Sequence, residues 1–160
     1  IYCNGFLFQE KNNKRKLNLD LALKLNINQV YYNKLTKGEN VFNEKGEEIN
    51  YREVTSEGLK NKSYAYCSDT IYYPTIINII SHVDLLYHES TFLENDREKA
   101  KLTTHSTAMD AAKIARDAQV NKLIIGHFSS RYENLDLFVN EAKQIFQNVE
   151  LVFDGKDIEI

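Results

Sequence analysis

Three short apolar runs, Ser63–Cys67, residues 83–87 and Lys122–Gly126, are each followed by side chains able to bind a metal or move a proton: Asp69, then His88 and Glu89, then His127. In open α/β sheets the ligand crevice lies beyond the carboxyl ends of the strands, so such residues can converge from distant sequence. Asp69, in Cys67-Ser68-Asp69-Thr70, can cap exposed N–H groups or hold a cation. His88-Glu89-Ser90-Thr91-Phe92 has the start of the zinc-protease motif, but Phe92 stands where the second histidine must lie one helical turn on, which excludes that chemistry. Glu89 is then either a proton carrier or a structural acid at a strand end. His105-Ser106-Thr107 precedes residues 108–118, an alanine-rich helical pattern for which Ser106 or Thr107 is a natural N-cap. The cap explains the hydroxyls but not the histidine. At a helix N-terminus the charged imidazole is disfavoured unless an anion offsets the dipole, and phosphate is such an anion. In His127-Phe128-Ser129-Ser130-Arg131-Tyr132, Arg131 can fork onto phosphate oxygens or pair with a neighbouring acid such as Glu133. His82, between a helical pattern and a strand, reads as a surface residue.

These residues need elements to hold them. From Ser63 onward, runs of strand length alternate with helical patterns, which predicts a parallel or mixed α/β architecture. A helix is expected over 74–80, with Pro74 in its first turn, and another from the apolar stripe Leu135, Phe138, Val139, Ala142, Ile145 and Phe146. A hairpin is expected at the end, from 149–153 through an Asp154-Gly155 turn to 157–160. The first sixty residues differ in character. A strand pattern over 1–10 leads into a polar stretch with Lys11, Lys14, Arg15 and Lys16, a short helix over 17–25, weakly patterned residues 26–42 and a turn at Asn43-Glu44-Lys45-Gly46. This is an excursion, or arm, whose basic cluster is either a solvated loop or a local grip on nucleic acid.

The chain has 160 residues, 42% of them hydrophobic, which suits one domain or half of a larger one. Ile1 rather than Met opens it, already in a strand pattern, so further N-terminal sequence is expected. A net charge of −3 excludes a protein that is basic throughout, and any hold on nucleic acid must be local. No run approaches the ~20 apolar residues that span a bilayer, and no basic-then-apolar leader opens the chain. Cys3 and Cys67 match no CxxC spacing. A cytoplasmic protein with reduced thiols and no membrane segment is expected. The scattered glycines form no GxGxxG, P-loop or GxSxG pattern, which sets aside the reactions that use those devices.

Taken together and in order, Tyr64-Ala65-Tyr66-Cys67-Ser68-Asp69-Thr70, Asp84 to Phe92, His105-Ser106-Thr107 and His127 to Tyr132 resemble the C-terminal motifs of the ribonuclease Z family, across essentially the whole chain. The resemblance implies the four-layer αββα sandwich of the metallo-β-lactamase fold. Residues 1–62 would supply a strand plus an arm-like tRNA-binding excursion, and 63–160 the C-terminal αβ half. The family's HxHxDH signature and an additional ligand histidine are absent from this chain. By resemblance Asp69 bridges two zinc ions and His127 is a terminal ligand of one, the remaining ligands lying outside the chain. Glu89 and His105 resemble the pair that orients and delivers a proton to the leaving oxygen, and Ser129 and Arg131 would lie near substrate phosphate.

Two cations on a shared carboxylate activate water and neutralise phosphoryl charge, which suits phosphodiester hydrolysis. The implied activity is removal of the 3′ trailer of precursor tRNA, leaving a tRNA 3′-hydroxyl. The arm, with Lys11, Lys14, Arg15 and Lys16, would clasp the tRNA elbow in a homodimer where each arm serves the partner's site. The Gly-Pro element common in that arm is replaced by Asn26-Ile27-Asn28-Gln29-Val30. With two of the three or four protein donors zinc requires, the chain alone is expected to be inactive. Two other readings compete: a metallo-β-lactamase-fold phosphodiesterase for small substrates, which would not need the basic arm, and a non-catalytic RNA-binding fragment, which would not need the acids and histidines.

Overall fold

A computed structural model describes residues 3–11 and 14–160. Ile1 and Tyr2, at the start of the expected first strand, lie outside the described residues. The residues up to Gln9 and those from Lys62 onward form one compact unit, and Glu10–Asn61 a second. The first unit opens with strand β1 (Phe6–Gln9).

The Glu10–Asn61 unit contains β2 (Lys16–Leu17), α1 (Leu19–Lys24), α2 (Tyr32–Thr36), β3 (Val41–Phe42), β4 (Glu48–Ile49), α3 (Tyr51–Val54) and β5 (Thr55–Ser56). Helix α1 starts two residues later than expected because Lys16 and Leu17 pair with β5, and Asn18 then caps the helix by accepting from Leu21 N. β3 and β4 form a hairpin around the expected turn. There the Asn43 side-chain oxygen accepts from Lys45 N at 3.0 Å and Glu47 N at 2.9 Å, and Gly46 takes φ +80°. Ala22, Ile27, Leu35, Val41, Ile49 and Val54 give this unit a small core of its own.

The other unit continues with β6 (Ser63–Cys67), β7 (Leu85–Glu89), α4 (Arg97–Thr103), α5 (Ala108–Asp117), β8 (Lys122–Gly126), α6 (Asp136–Ala142) and β9 (Val149–Leu151). The sheet order is β1-β6-β7-β8-β9, with β1 antiparallel to β6 and the rest parallel. The expected strand over 83–87 is displaced to Leu85–Glu89. Asp84 is occupied before the ladder begins, its carboxylate accepting from both Ser63 N and Ser63 Oγ. Glu89 is thereby the last rung, opposite Gly126.

Two further expectations are corrected. Over 74–80 only a one-turn 3-10 helix, Pro74–Ile76, forms, with Pro74 at its start. The terminal hairpin does not form either. Val149–Leu151 adds in parallel to β8, Val152 N bonds to Ile125 O, and Gly155 makes its turn at φ +87°, but residues 157–160 join no strand.

Side chains alternate between the faces of the sheet. Ala65, Cys67, Leu86, Leu123 and Ile125 pack with Ala108, Ala111, Ala112 and Ala115 of α5 and with Phe138 of α6. Small residues along α5 let the helix approach closely, and each fully buried Leu or Ile contributes about 1.5–3 kcal/mol. Tyr64, Tyr66, Leu85, Tyr87 and Ile124 line a cavity of about 440 Å³, shared with Val152, Phe153, Ile158 and Ile160. Tyr66 and Tyr87 stack there at 4.7 Å. A Cβ on Gly126 would stand 3.1 Å from the Tyr87 ring, so glycine is what admits that ring at the end of β8. Among the described residues no helix is long and apolar enough to cross a membrane.

Candidate functional site

The parallel strands β6, β7 and β8 end together, and the side chains just past or at their ends meet. Glu89 is fully buried, and its two oxygens receive five hydrogen bonds. Oε1 accepts from Ser106 N (2.8 Å), Thr70 N (3.1 Å) and His105 Nδ1 (3.1 Å). Oε2 accepts from Thr91 N (2.8 Å) and Thr91 Oγ1 (2.9 Å). A carboxylate without water is tolerable only with such a set of donors. Glu89 thus ties the loop after β6 to the loop before α5, and holds His105 by its Nδ1.

His127 follows Gly126 with φ +63°, a left-handed conformation that costs a side chain with a Cβ. That backbone turn carries the imidazole from the end of β8 toward Asp69, with Nε2 3.5 Å from Asp69 Oδ1. Both side chains are accessible, at 45% and 43%. The rings of His105 and His127 are 5.3 Å apart. One ligand atom from each of Asp69, His105 and His127 lies within 4.8 Å of the others. Two imidazoles and a carboxylate are donors that zinc accepts, so this residue set fits a divalent metal. The family resemblance implied two donors, Asp69 and His127; the geometry adds His105 to their neighbourhood. Asp69 caps no helix, since the 3-10 turn that follows has Tyr73 as its N-cap with no side-chain cap bond.

The loop after β8 lies against the same place. Ser129 N donates to Thr91 O at 3.1 Å, and Arg131 Nε donates to Ser129 Oγ at 3.0 Å. Arg131 also stands over the Phe92 ring, 4.9 Å from its centroid, in place of the ion pair with Glu133 that its sequence neighbourhood allowed. Phe92 is braced against the start of α5 through a bridge to Thr107 and the bond from Ala108 N to Phe92 O at 3.0 Å. Thr107 is the N-cap, in a reciprocal capping box with Asp110. Arg97 locks this start in place, forking onto Glu94 and reaching Asp110 at 2.7 Å.

One residue near the site was not singled out by its sequence, and one that was, His88, faces away from it. Thr91 hydroxyl contacts Glu89, His105 and His127 at once. Its only sequence signal was its place two residues after Glu89. His88 points to the opposite face of β7, fully buried, with Nδ1 2.7 Å from Glu89 O and no partner for Nε2. Burial pushes its pKa down, against the weaker opposing pull of the Glu89 carbonyl and of nearby acids. His82 is exposed, as expected.

The basic cluster lies in the Glu10–Asn61 unit and is not uniform. Lys11, Lys14 and Lys16 are exposed, Lys14 donating to Asn33 Oδ1 at 3.0 Å. Arg15 is partly buried, with Nε on Thr55 Oγ1 at 2.7 Å and its guanidinium 5.0 Å from the Tyr51 ring centroid. It holds β5 and α3 of its own unit.

No protein-family model matches the chain. A ribonuclease Z of Cytophaga hutchinsonii is 47% identical over 97% of this chain and 50% of its own length. The chain spans about half the length of the curated relatives it matches. Among solved structures, the metallo-β-lactamase fold protein YhfI of Bacillus subtilis aligns with a TM-score of 0.56 over 59% of this chain and 39% of its own, at 24% identity. A long form RNase Z from yeast aligns with a TM-score of 0.52 over 61% of this chain and 13% of its own, at 27% identity. The central mixed sheet with helices packed on it is accordingly part of a metallo-β-lactamase sandwich.

Proposed function

The chain belongs to the ribonuclease Z family, and on that premise we propose that, joined to the rest of its sandwich, it forms a zinc-dependent endoribonuclease that removes the 3′ trailer of precursor tRNA. The observation that carries this is the convergence of Asp69, His105 and His127 beside a buried Glu89 that grips His105. A module that only binds RNA has no use for that set.

Asp69 and His127 are the residues that would hold metal. A divalent metal bound there supplies an activated water and neutralises charge on the phosphoryl oxygens. His105, with Nδ1–H engaged by Glu89, has Nε2 free to take up a second proton, and the imidazolium so formed would pass it to the departing ribose oxygen and return to the neutral ring. Arg131 and Ser129 stand on the loop beside His127, where a guanidinium and a hydroxyl can receive phosphate oxygens. The reaction leaves a 3′-hydroxyl on the tRNA.

Lys11, Lys14 and Lys16 would supply phosphate contacts from the arm, while Arg15 serves the arm's own packing. The chain's span of half its relatives' length supports a missing half of the same fold. The tyrosine-lined sheet face offers that half an apolar surface. The remaining zinc ligands would come with it. A cytoplasmic homodimer, with each arm serving its partner's site, completes the proposal; the two free thiols suit a reducing compartment.

The test is cleavage of a 3′-extended precursor tRNA by the complete protein with zinc, beside an Asp69→Ala variant, scored for cut position. Metal-dependent cutting at the acceptor end that disappears in the variant is expected. Hydrolysis of a small phosphodiester with no cutting of tRNA would move the assignment to the small-substrate class.

A further inference from the structure

A hydroxyl has one proton to give and two lone pairs. Thr91 Oγ1 faces three groups: Glu89 Oε2 at 2.9 Å, His127 Nδ1 at 2.9 Å and His105 Nδ1 at 3.2 Å. A carboxylate accepts and cannot donate, so the proton of Thr91 goes to Glu89. His127 Nδ1 then meets a lone pair and must carry hydrogen, while the hydrogen on His105 Nδ1 is already claimed by Glu89 Oε1 at 3.1 Å. The Thr91 oxygen is fixed in place, and only its hydroxyl hydrogen can turn. Thr91 is 7% exposed, its N–H is held by Glu89 Oε2 at 2.8 Å, its carbonyl receives Ser129 N at 3.1 Å, and its β-branched side chain is stiff at χ1.

We propose that Thr91 is the positioning residue of this site: its hydroxyl sets His127 in the Nδ1–H tautomer, as Glu89 Oε1 does for His105, leaving His127 Nε2 as a bare lone pair toward Asp69. The inference rests on the metal-site assignment made above. It deepens that assignment by naming which nitrogen of each histidine works, and why. The hydrogen bond made by the other ring nitrogen decides which nitrogen of an imidazole is the ligand. A free neutral imidazole prefers to carry its proton on the ε nitrogen, so the opposite tautomer at both histidines is a signature of an imposed hydrogen bond. Through Glu89 Oε2 the same hydroxyl links the metal-facing His127 to the carboxylate that grips His105. One threonine therefore aligns His127 directly and His105 only through Glu89.

The experiment uses the complete protein, metal-free and ¹⁵N-histidine labelled, above the titration range of its histidines. Two-bond ¹⁵N–¹H spectra report the tautomer of each ring, assigned with a His127→Asn variant. Zinc alone is then titrated against a chelator. Nδ1–H at His127 and His105 in the unsubstituted protein and in Thr91→Ser is expected. An averaged tautomer at His127, with His105 still held by Glu89, and zinc binding at least about tenfold weaker are expected in Thr91→Val. An Nε2–H tautomer at His127 in the unsubstituted protein overturns the proposal, as does a Thr91→Val variant that matches its parent in both readouts. Should Thr91→Val not fold, the parent spectrum and Thr91→Ser still decide. Cleavage of precursor tRNA by the unsubstituted enzyme is scored separately: its absence, with the tautomers as expected, would sink the assigned reaction and leave the role of Thr91 standing.

Discussion

Glu89→Gln is close to isosteric, yet the surroundings of Glu89 make it costly. An amide must place its NH₂ at one of the two oxygen positions. At Oε1 it would confront Ser106 N–H and Thr70 N–H; at Oε2 it would confront Thr91 N–H, while the Thr91 hydroxyl can turn to accept. The second arrangement is cheaper and still sets one N–H against another. It forfeits a hydrogen bond to a charged acceptor, about 1.5–3 kcal/mol, and leaves a buried donor unsatisfied, about 1–3 kcal/mol. The neutral amide escapes the cost of burying a charge, which holds the net loss to about 3 kcal/mol. With an m-value of about 2 kcal/mol/M in urea, the unfolding midpoint of the complete protein should fall by about 1.5 M at unchanged slope. A fall under about 0.5 M would refute the view that five donors converge on this carboxylate in the folded protein.

Four further outcomes are expected. His88 carries a folded-state pKa lowered by burial from 6.5, so its contribution to stability is full above that value and is lost as pH falls below it. Chemical unfolding between pH 6.5 and 5 should show a slope that His88→Leu flattens. Burial pushes the Cys67 thiol up to about 11, so at pH 8 an alkylating reagent should label Cys3 in the folded protein and reach Cys67 only on unfolding, as read by peptide mass. In the arm, replacing Lys11, Lys14 and Lys16 together should weaken tRNA binding and lower its salt dependence by about 0.7–0.9 for each phosphate no longer neutralised. Arg15→Ala should instead cost about 1 kcal/mol of stability, because its guanidinium is held by Thr55 and Tyr51.

Much of the site could be read from strand ends. Asp69, Glu89 and His127 each follow an apolar run, and the parallel sheet brings those ends together as the alternation of elements implied. The details that escaped are ones where a side chain competes with a pattern. Asp84 looked like part of a strand, but its bonds to Ser63 delay the ladder and bring His88 and Glu89 inside it. The ending of the chain carried a turn signal between two apolar stretches, and the turn exists. Val149 to Leu151 nonetheless found a better partner in β8 than in residues 157–160. Arg15 shared a basic run with three lysines, and only Tyr51 and Thr55, some forty residues on, separate its role from theirs. Thr91 is the clearest case. Its importance lies in three partners at distances of 2, 14 and 36 residues, a relation no local pattern displays.

The backbone at His127 offers a practical opening. Asparagine tolerates the left-handed region better than most residues and glycine adopts it freely, whereas histidine at φ +63° is held there by its surroundings. On the proposed metal role the position trades local comfort for a ligand, and asparagine there would ease the backbone while forfeiting the contact of His127 Nδ1 with Thr91 Oγ1 at 2.9 Å. His127→Asn should leave the fold within about 1 kcal/mol of its parent, the eased backbone offsetting the lost contact with Thr91, while removing a proposed metal donor. Under the proposed reaction, such a variant of the complete protein would be a natural trap: mixed with uncut precursor, it could be imaged with the RNA still whole.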